Sequence, residues 1–540
     1  MIEADYVIVG GGSAGCVLAQ RLSENSRHTV VLLEAGGADR GPWLQIPIGY
    51  GKSFYDPAVN WMYRTEPDPG LAGRQGYWPR GKVLGGSSAI NAMVYIRGHP
   101  SDFDGWAALG NPGWSWADVA PVFRRLECAP HRDVASRGHS GPLCIADVSR
   151  DHHPLCTAFY GAGGELGLPF NADFNGPTME GIGPYEITTR HGRRMSAARA
   201  YLRSAIRRRN LRVELRAHAV RVRLDGRRAV GAEYVQDGET LAVRAHREVI
   251  LAAGAINTPQ LLQLSGIGPP EPIRRHGIAL AHELPAVGAN LQDHVCIDHV
   301  YRARVPSLNE VLRSWHGRVR IGIDYLLRGR GPLSLSINQG GGFVRSREGL
   351  AAPDMQLYFC PLSYTRLPPG TRPLMQPDPF PGLLTSVQPC RPQSRGRLTI
   401  RSADPRDPPV IEPGTFSAPG DLDDMLAGAQ FLRRLAATPT LVAVIERELL
   451  PGPQVQSRDE LIGDIRARAS TVFHPVATCR MGPDPAKSVV DARLRVHGLA
   501  GLRVIDASVF PSLTSGNTNA PVLMVAEKGA DLVLADAGES

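Results

Sequence analysis

The stretch that most constrains this chain is Asp5-Tyr-Val-Ile-Val-Gly-Gly-Gly-Ser-Ala-Gly15, completed by Leu32-Leu33-Glu34-Ala35-Gly36. Tyr6 to Val9 is apolar without alternation, the pattern of a short strand buried on both faces. Gly10, Gly12 and Gly15 follow in G-x-G-x-x-G spacing, and Cys16 to Leu22 continues with helical apolar periodicity. A second apolar strand over Thr29 to Leu33 ends at Glu34, about twenty residues beyond the glycines. The glycines permit a tight turn, close approach of a pyrophosphate to the backbone, and close packing of helix on strand. The helix N-terminus faces the anion, and Glu34 accepts hydrogen bonds from ribose hydroxyls. An acidic residue here repels a 2′-phosphate, which disfavours NADP. Three incidental glycines in an ordinary strand–turn–helix would not bring the second strand and Glu34 into register. The unit predicts a Rossmann-like dinucleotide-binding fold of the α/β class.

At 540 residues, 43% hydrophobic and 21% charged, the chain has the composition of a globular protein with room for two or more domains. Its net charge of +8 comes from arginine, since only Lys52, Lys82, Lys487 and Lys528 are lysines. The densest basic run, Arg203 to Arg209, has no aromatic interleaving and reads as a solvated face, so no nucleic-acid partner is expected. Glu3 and Asp5 stand where a signal peptide needs positive charge, and no apolar run is long enough for a spanning helix. The eight cysteines show no C-x-x-C spacing and read as reduced thiols. These features point to a cytoplasmic protein without an integral membrane segment, with peripheral membrane contact left open.

Further along, Gly36 to Gly76 reads as irregular structure lying over another element. Gly85-Gly-Ser-Ser88 reads as a turn that wraps a polar ring or a phosphate, or equally as a surface loop, followed by an apolar strand or helix start. Trp116 opens a helix through Leu126, and Ser196 to Arg209 has helical character. Strands follow over Leu211 to Val222, Ala229 to Val235 and Glu248 to Gly254, then a helix from Ala255 capped by Asn257-Thr258-Pro259. From about Tyr301 to Glu460, strands such as Met355 to Cys360 and Arg397 to Ile400 alternate with proline-rich loops such as Pro368 to Pro381. That texture suggests a substrate-binding domain built on an antiparallel sheet with helices. Leu502 to Asp506 and Pro521 to Val533 return to the first texture as a buried strand and a helix. The expected organisation is a discontinuous cofactor domain over 1–155, 190–300 and 465–540, with 156–189 and 301–464 forming the substrate domain. His152 and His153 are expected to be exposed, His99 and His294 to be structural or pocket-rim groups, and no histidine spacing suggests a metal site. No G-x-S-x-G nucleophile elbow is present.

Four blocks together carry a family resemblance. They are the N-terminal fingerprint, Gly81-Lys-Val-Leu-Gly-Gly-Ser-Ser-Ala-Ile-Asn91, Gly254-Ala-Ile-Asn-Thr-Pro-Gln-Leu-Leu-Gln-Leu-Ser-Gly-Ile-Gly268, and the pair His474-Pro with Gly516-Asn517. Over nearly its full length the chain resembles the glucose–methanol–choline (GMC) oxidoreductases, and within them the choline-dehydrogenase-like alcohol dehydrogenases. The resemblance implies bound FAD. It places Gly10, Gly12, Ser13, Ala14, Gly15, Glu34 and Ala35 on the adenosine and pyrophosphate side, and Val83, Gly86, Ser87, Asn91, Ala92, Met93 and Val94 along the flavin. Val220 would meet the adenine, and Ala253, Gly254, Asp506, Ala507 and Asn519 would complete the contacts. Some relatives bind the flavin covalently through a histidine before the loop asparagine; Ala89 and Ile90 cannot, so the FAD is expected to be non-covalent.

The resemblance also implies the chemistry. A primary alcohol is oxidised to the aldehyde by hydride transfer to flavin N5, with His474 as base and Asn517 stabilising charge on the alcohol oxygen. An asparagine cannot be the base, so proton removal falls to His474. Choline-binding relatives present a carboxylate before a glycine-rich turn; the matching position here is the neutral Gln339, which favours an uncharged alcohol. The expected electron acceptor is a quinone or another non-oxygen acceptor. An oxidase using O2, or a hydroxynitrile-lyase-type enzyme on the same scaffold, are the alternatives.

Overall fold

The computed structural model describes residues 2–365 and 376–538. Most of the proline-rich loop expected at 368–381 lies outside the described residues. The chain is a mixed α/β protein built around two seven-stranded sheets.

The first sheet grows from the N-terminal unit. Ile2–Val9 pairs in parallel with Val30–Glu34 on one side and Glu239–Leu251 on the other. Leu211–Leu215 extends it beyond Val30–Glu34, and Leu502–Val504 pairs with the end of Glu239–Leu251, both in parallel. Arg228–Gln236 and His218–Asp225 add an antiparallel ribbon to the beginning of Glu239–Leu251. The sheet thus draws its strands from three stretches far apart in the chain. Val9 is level with Leu33 and with Leu251, and Leu251 is level with Val504. All these strands therefore end on one line, where Gly10, Glu34, Ala252 and Asp506 emerge side by side. The strands are apolar throughout because both faces are covered. Val7, Ile8, Leu32 and Ile250 are fully buried, as are Val17 and Leu18 on the helix Ser13–Leu22 that packs over them, each worth about 1.5–3 kcal/mol. Two of the glycines are dictated by geometry. Gly10 has φ +104°, and a Cβ on Gly15 would lie 1.8 Å from the Gly10 carbonyl oxygen, so only glycine lets this helix sit down on its strand.

The second sheet is antiparallel, in the order Ile445–Leu450, Val295–Ala303, Gly382–Pro389, Met355–Cys360, Gly340–Val344 and Gly181–Pro184. The eighteen-residue helix Pro419–Ala436 packs across it, burying Met425, Leu432 and Leu435.

Three local expectations change. The helix expected from Ala255 spans Gly254–Leu264, so Asn257, Thr258 and Pro259 sit inside it and do not cap it. Pro259 cannot donate to the Ala255 carbonyl, and the hydroxyl of Thr478 donates to it instead at 2.7 Å. Residues 91–98 form neither helix nor strand; their one ladder contact is a bridge between Val94 and Ile187. The helical run at 196–209 is a π-turn over Ala198–Leu202 continued by Arg203–Ala205. All eight cysteines are free thiols. Among the described residues no helix is long and apolar enough to cross a membrane, and no cluster of histidine, cysteine and carboxylate side chains is arranged to hold a metal.

Candidate active site

A cavity runs from the line of strand ends, past His474 and Asn517, to Ile337, Asn338 and Tyr358 of the antiparallel-sheet region. It lies at the carboxyl ends of the parallel strands, where open α/β sheets bind ligands.

At one end Val9, Gly10, Gly12, Ser13, Ala14, Glu34 and Ala35 line the wall. The helices beginning at Ser13, Gly254 and Asn519 bring their N-termini to this cavity. Those at Ser13 and Asn519 have no side-chain cap, and their N–H groups make a cradle for a pyrophosphate. Gly86 closes it from above, where a Cβ would lie 2.6 Å from the Gly12 Cα. Glu34 accepts from the Gly11 and Gly36 amides at 2.8 and 2.7 Å, and burial raises its carboxyl to about 7. Asp506, fully buried, accepts from the Gly254 amide at 2.8 Å and the Thr258 hydroxyl at 2.6 Å, fixing the start of the Gly254 helix. The helix N-termini, the glycine cradle and the Glu34 carboxylate fit FAD.

The other end holds the expected catalytic pair. His474-Pro475 is bracketed by Phe473 and Ala477, both left-handed at φ +71°, a strained arrangement of the kind found at functional sites. Residues 292–294 run antiparallel to 472–476: Val472 N–H donates to the His294 carbonyl at 3.0 Å and Val476 N–H to that of Gln292 at 2.9 Å. The His474 amide donates to Asp293 at 2.7 Å, and burial pushes that carboxyl up to about 7. Opposite, Gly516 turns with φ +92° beside Ile96, and Ser515 is tied by its amide (2.7 Å) and hydroxyl (3.0 Å) to Asp102. These anchors bring Asn517 Nδ2 to 3.2 Å from His474 Nε2.

The hydrogen bonds around the pair determine where its protons sit. His294 Nε2 lies 3.0 Å from the Cys390 carbonyl, which only accepts, so this nitrogen carries a hydrogen. Burial lowers His294 to about 4, so its ring is neutral and its Nδ1 is an acceptor. His474 Nδ1, 3.0 Å away, is therefore the donor. That leaves the lone pair of His474 on Nε2, where it accepts from the Asn517 amide at 3.2 Å at the cavity wall. The Asn517 amide is oriented in turn by Gln356, whose Nε2 donates to Asn517 Oδ1 at 3.2 Å while its Oε1 accepts from Gln388 at 2.9 Å. The resulting arrangement is a neutral imidazole whose Nε2 is paired with an N–H donor at the cavity wall.

Of the expected cofactor residues, Gly86, Ser87, Asn91, Ala92, Met93, Val94, Ala253, Gly254, Asp506, Ala507 and Asn519 all line the cavity. Gly15 and Val83 do not line it. Val220 sits in a bulge between Ala219 and Arg221, so the wall there is made by Ala217, His218 and Ala219. Gln339 is not in the pocket: it is buried, and its side-chain oxygen accepts from the His153 amide at 2.7 Å. Asn338, one residue earlier and so facing the other way, lines the cavity. His152 and His153 are half-buried rather than exposed, with His152 lowered to about 4 by burial. His99 caps the helix Pro100–Ala108. The substrate end is otherwise walled by Tyr50, Phe54, Ile337, Tyr358 and Phe473. The supporting roles of His294, Asp293 and Gln356 follow from strand pairing between distant segments, which no local motif announces.

The same blocks match known proteins. Residues 4–296 and 392–526 match the N- and C-terminal models of the GMC oxidoreductases. The chain belongs to the GMC oxidoreductase family. It is an FAD-binding oxidoreductase. It is 43% identical over 534 residues to an alcohol dehydrogenase [acceptor] of Pseudomonas putida, covering 98% of this chain and 95% of that one. It is 41% identical to a mitochondrial choline dehydrogenase of Mus musculus, covering 98% and 89%. Among solved structures it is similar to pyridoxine 4-oxidase from Mesorbium loti, with TM-score 0.88 and 34% identity over 98% of both chains. A formate oxidase of Aspergillus oryzae gives TM-score 0.91 and 28% identity over 99% of both.

Proposed function

We infer that this GMC oxidoreductase oxidises an uncharged primary alcohol to the aldehyde, with His474 as the base. The observation that carries the reading is the pairing of His474 Nε2 with the Asn517 amide at 3.2 Å in the cavity wall, with His294 on the other ring nitrogen at 3.0 Å. FAD, held non-covalently by the cradle around Gly10, Glu34, Gly86 and Gly254, supplies the hydride acceptor. An entering alcohol hydroxyl replaces the Asn517–His474 hydrogen bond, donating to His474 Nε2 while its oxygen accepts from Asn517 Nδ2. His474 removes the hydroxyl proton, and the resulting imidazolium keeps its Nδ1–H on His294. Asn517 stabilises the charge developing on oxygen and fixes the carbon for hydride loss.

The preference for an uncharged alcohol rests on the lining rather than on Gln339. The carboxylates lining the cavity, Glu34 and Asp506, are both engaged at the cofactor end, and aromatic and aliphatic groups wall the substrate end. Among the described residues a quaternary ammonium finds no carboxylate there to offset its desolvation. The proposed acceptor is a quinone or another non-oxygen acceptor. O2 is the second reading, because the pyridoxine and formate enzymes that share the fold are named oxidases. The test is anaerobic addition of a panel of primary alcohols and choline to the yellow holoenzyme, followed by air. Bleaching by neutral alcohols and not by choline is expected, with slow recovery in air; rapid recovery with peroxide favours the oxidase. Bleaching by choline alone contradicts the substrate reading.

A further inference from the structure

The helix Trp315–Arg328 turns its apolar stripe the wrong way for a core helix. Its inward contacts are Ile321, which is buried, and Tyr325, whose hydroxyl donates to the Gly192 carbonyl at 3.0 Å. On the opposite face Trp315, Val319, Ile323, Leu326 and Leu327 are exposed by 68%, 51%, 52%, 83% and 78%. At about 100° per residue these five side chains form one stripe about 120° wide, centred opposite Ile321. Five of the large hydrophobic residues exposed among the described residues thus share a single helix.

The stripe has a cationic border. Arg318 and Arg320 flank it, and Arg313, Arg328 and Arg330 stand at its ends. The helix itself carries one carboxylate, Asp324, 3.3 Å from Arg328, and Arg330 pairs with Asp151. The local excess is positive even after these pairs. The neighbouring turn Pro47–Gly49 packs on Pro332–Ser334, which packs on the helix, and the segment around that turn exposes Trp43 and carries Lys52.

We propose that the helix Trp315–Arg328 docks this enzyme on an anionic lipid bilayer, its apolar stripe entering the interface and its arginines meeting lipid phosphates. An apolar stripe with an aromatic residue at one end and arginines along both edges is the chemistry of an interfacial helix. Anionic lipid supplies the complementary charge. A specific protein partner needs about 20–30 residues a side, far more than one convex helix with five apolar side chains offers. Docking here also has a functional direction. The chain leaves the helix through left-handed Gly329, passes Pro332–Ser334 and reaches Ile337 and Asn338 in the cavity wall, so the docking face and the substrate end share one segment. The surface does not depend on the identity of the acceptor, and its test reads binding separately from turnover.

The FAD-loaded full chain is floated with vesicles of phosphatidylglycerol mixed with phosphatidylcholine, and with phosphatidylcholine alone. The wild type is expected to float with the anionic vesicles, more weakly with the neutral ones, and less at high salt. The double variant L326E/L327E is expected to lose at least about ten-fold in vesicle affinity while keeping its flavin spectrum and its rate of flavin reduction by a soluble alcohol. Failure of the wild type to float on anionic vesicles overturns the proposal, as does undiminished binding by the variant. So does a wild-type dimer that the variant converts to a monomer, because the stripe then belongs to a second copy of the chain.

Discussion

His294→Phe keeps a buried ring and withdraws the acceptor 3.0 Å from His474 Nδ1. A hydrogen bond of this kind is worth about 0.5–1.5 kcal/mol while His474 is neutral and about 1.5–3 kcal/mol once it carries the substrate proton. The difference, about 1–1.5 kcal/mol, acts on the barrier alone and corresponds to roughly a 5- to 12-fold slower reaction. Release of the ring into the other tautomer adds to this, since loss of the group that orients a catalytic histidine costs up to about 10⁴-fold. Anaerobic stopped-flow measurement of flavin reduction at saturating alcohol therefore gives at least a five-fold loss, with FAD content unchanged. Because the acceptor favours the protonated ring, its removal also moves the acid limb of the rate–pH profile to lower pH. His294 itself, lowered to about 4 by burial, stays neutral across the working range and contributes no limb of its own above pH 5. His294→Gln, which can place an oxygen near Nδ1, restores most of the rate. A Phe variant with the wild-type rate and an unmoved profile refutes the tautomer argument.

Two further outcomes follow from the same geometry. Asn517→Ala removes the N–H donor beside the reacting oxygen, and flavin reduction slows by about 2–4 kcal/mol in barrier with little change in FAD content, as read in the same stopped-flow assay. Glu34, raised to about 7 by burial, accepts more strongly from ribose hydroxyls when ionised, so FAD affinity falls as pH drops through 7; Glu34→Gln binds FAD more weakly and without that dependence, measured by flavin fluorescence titration.

What could be read from the chain alone follows from how local each requirement is. The Gly10–Gly15 fingerprint was legible because backbone contact between strand and helix admits no Cβ at fixed positions. His474 and Asn517 were legible as a pair of motifs, and they meet at 3.2 Å. The substrate wall was not: Asn338 and Gln339 alternate across a strand entry, and a shift of one residue exchanges cavity for core. Asn257-Thr258-Pro259 reads as a cap because the donor that serves the Ala255 carbonyl in place of a Pro259 N–H, the Thr478 hydroxyl, comes from a segment more than two hundred residues away. His294 and Gln356 reach the site through pairing of distant strands, which composition and periodicity do not encode. The outward stripe on Trp315–Arg328 has the periodicity of any amphipathic helix, and only the fold shows that it faces away from the core.

The most direct test of the central claim is the rate of flavin reduction in His474→Ala against wild type, mixed anaerobically with the best alcohol of the panel. Loss of the general base predicts a yellow, FAD-loaded protein whose flavin is reduced roughly a hundred-fold or more slowly. An alanine variant that is reduced at the wild-type rate would mean that His474 does not take the proton, and the mechanism built on it would fail.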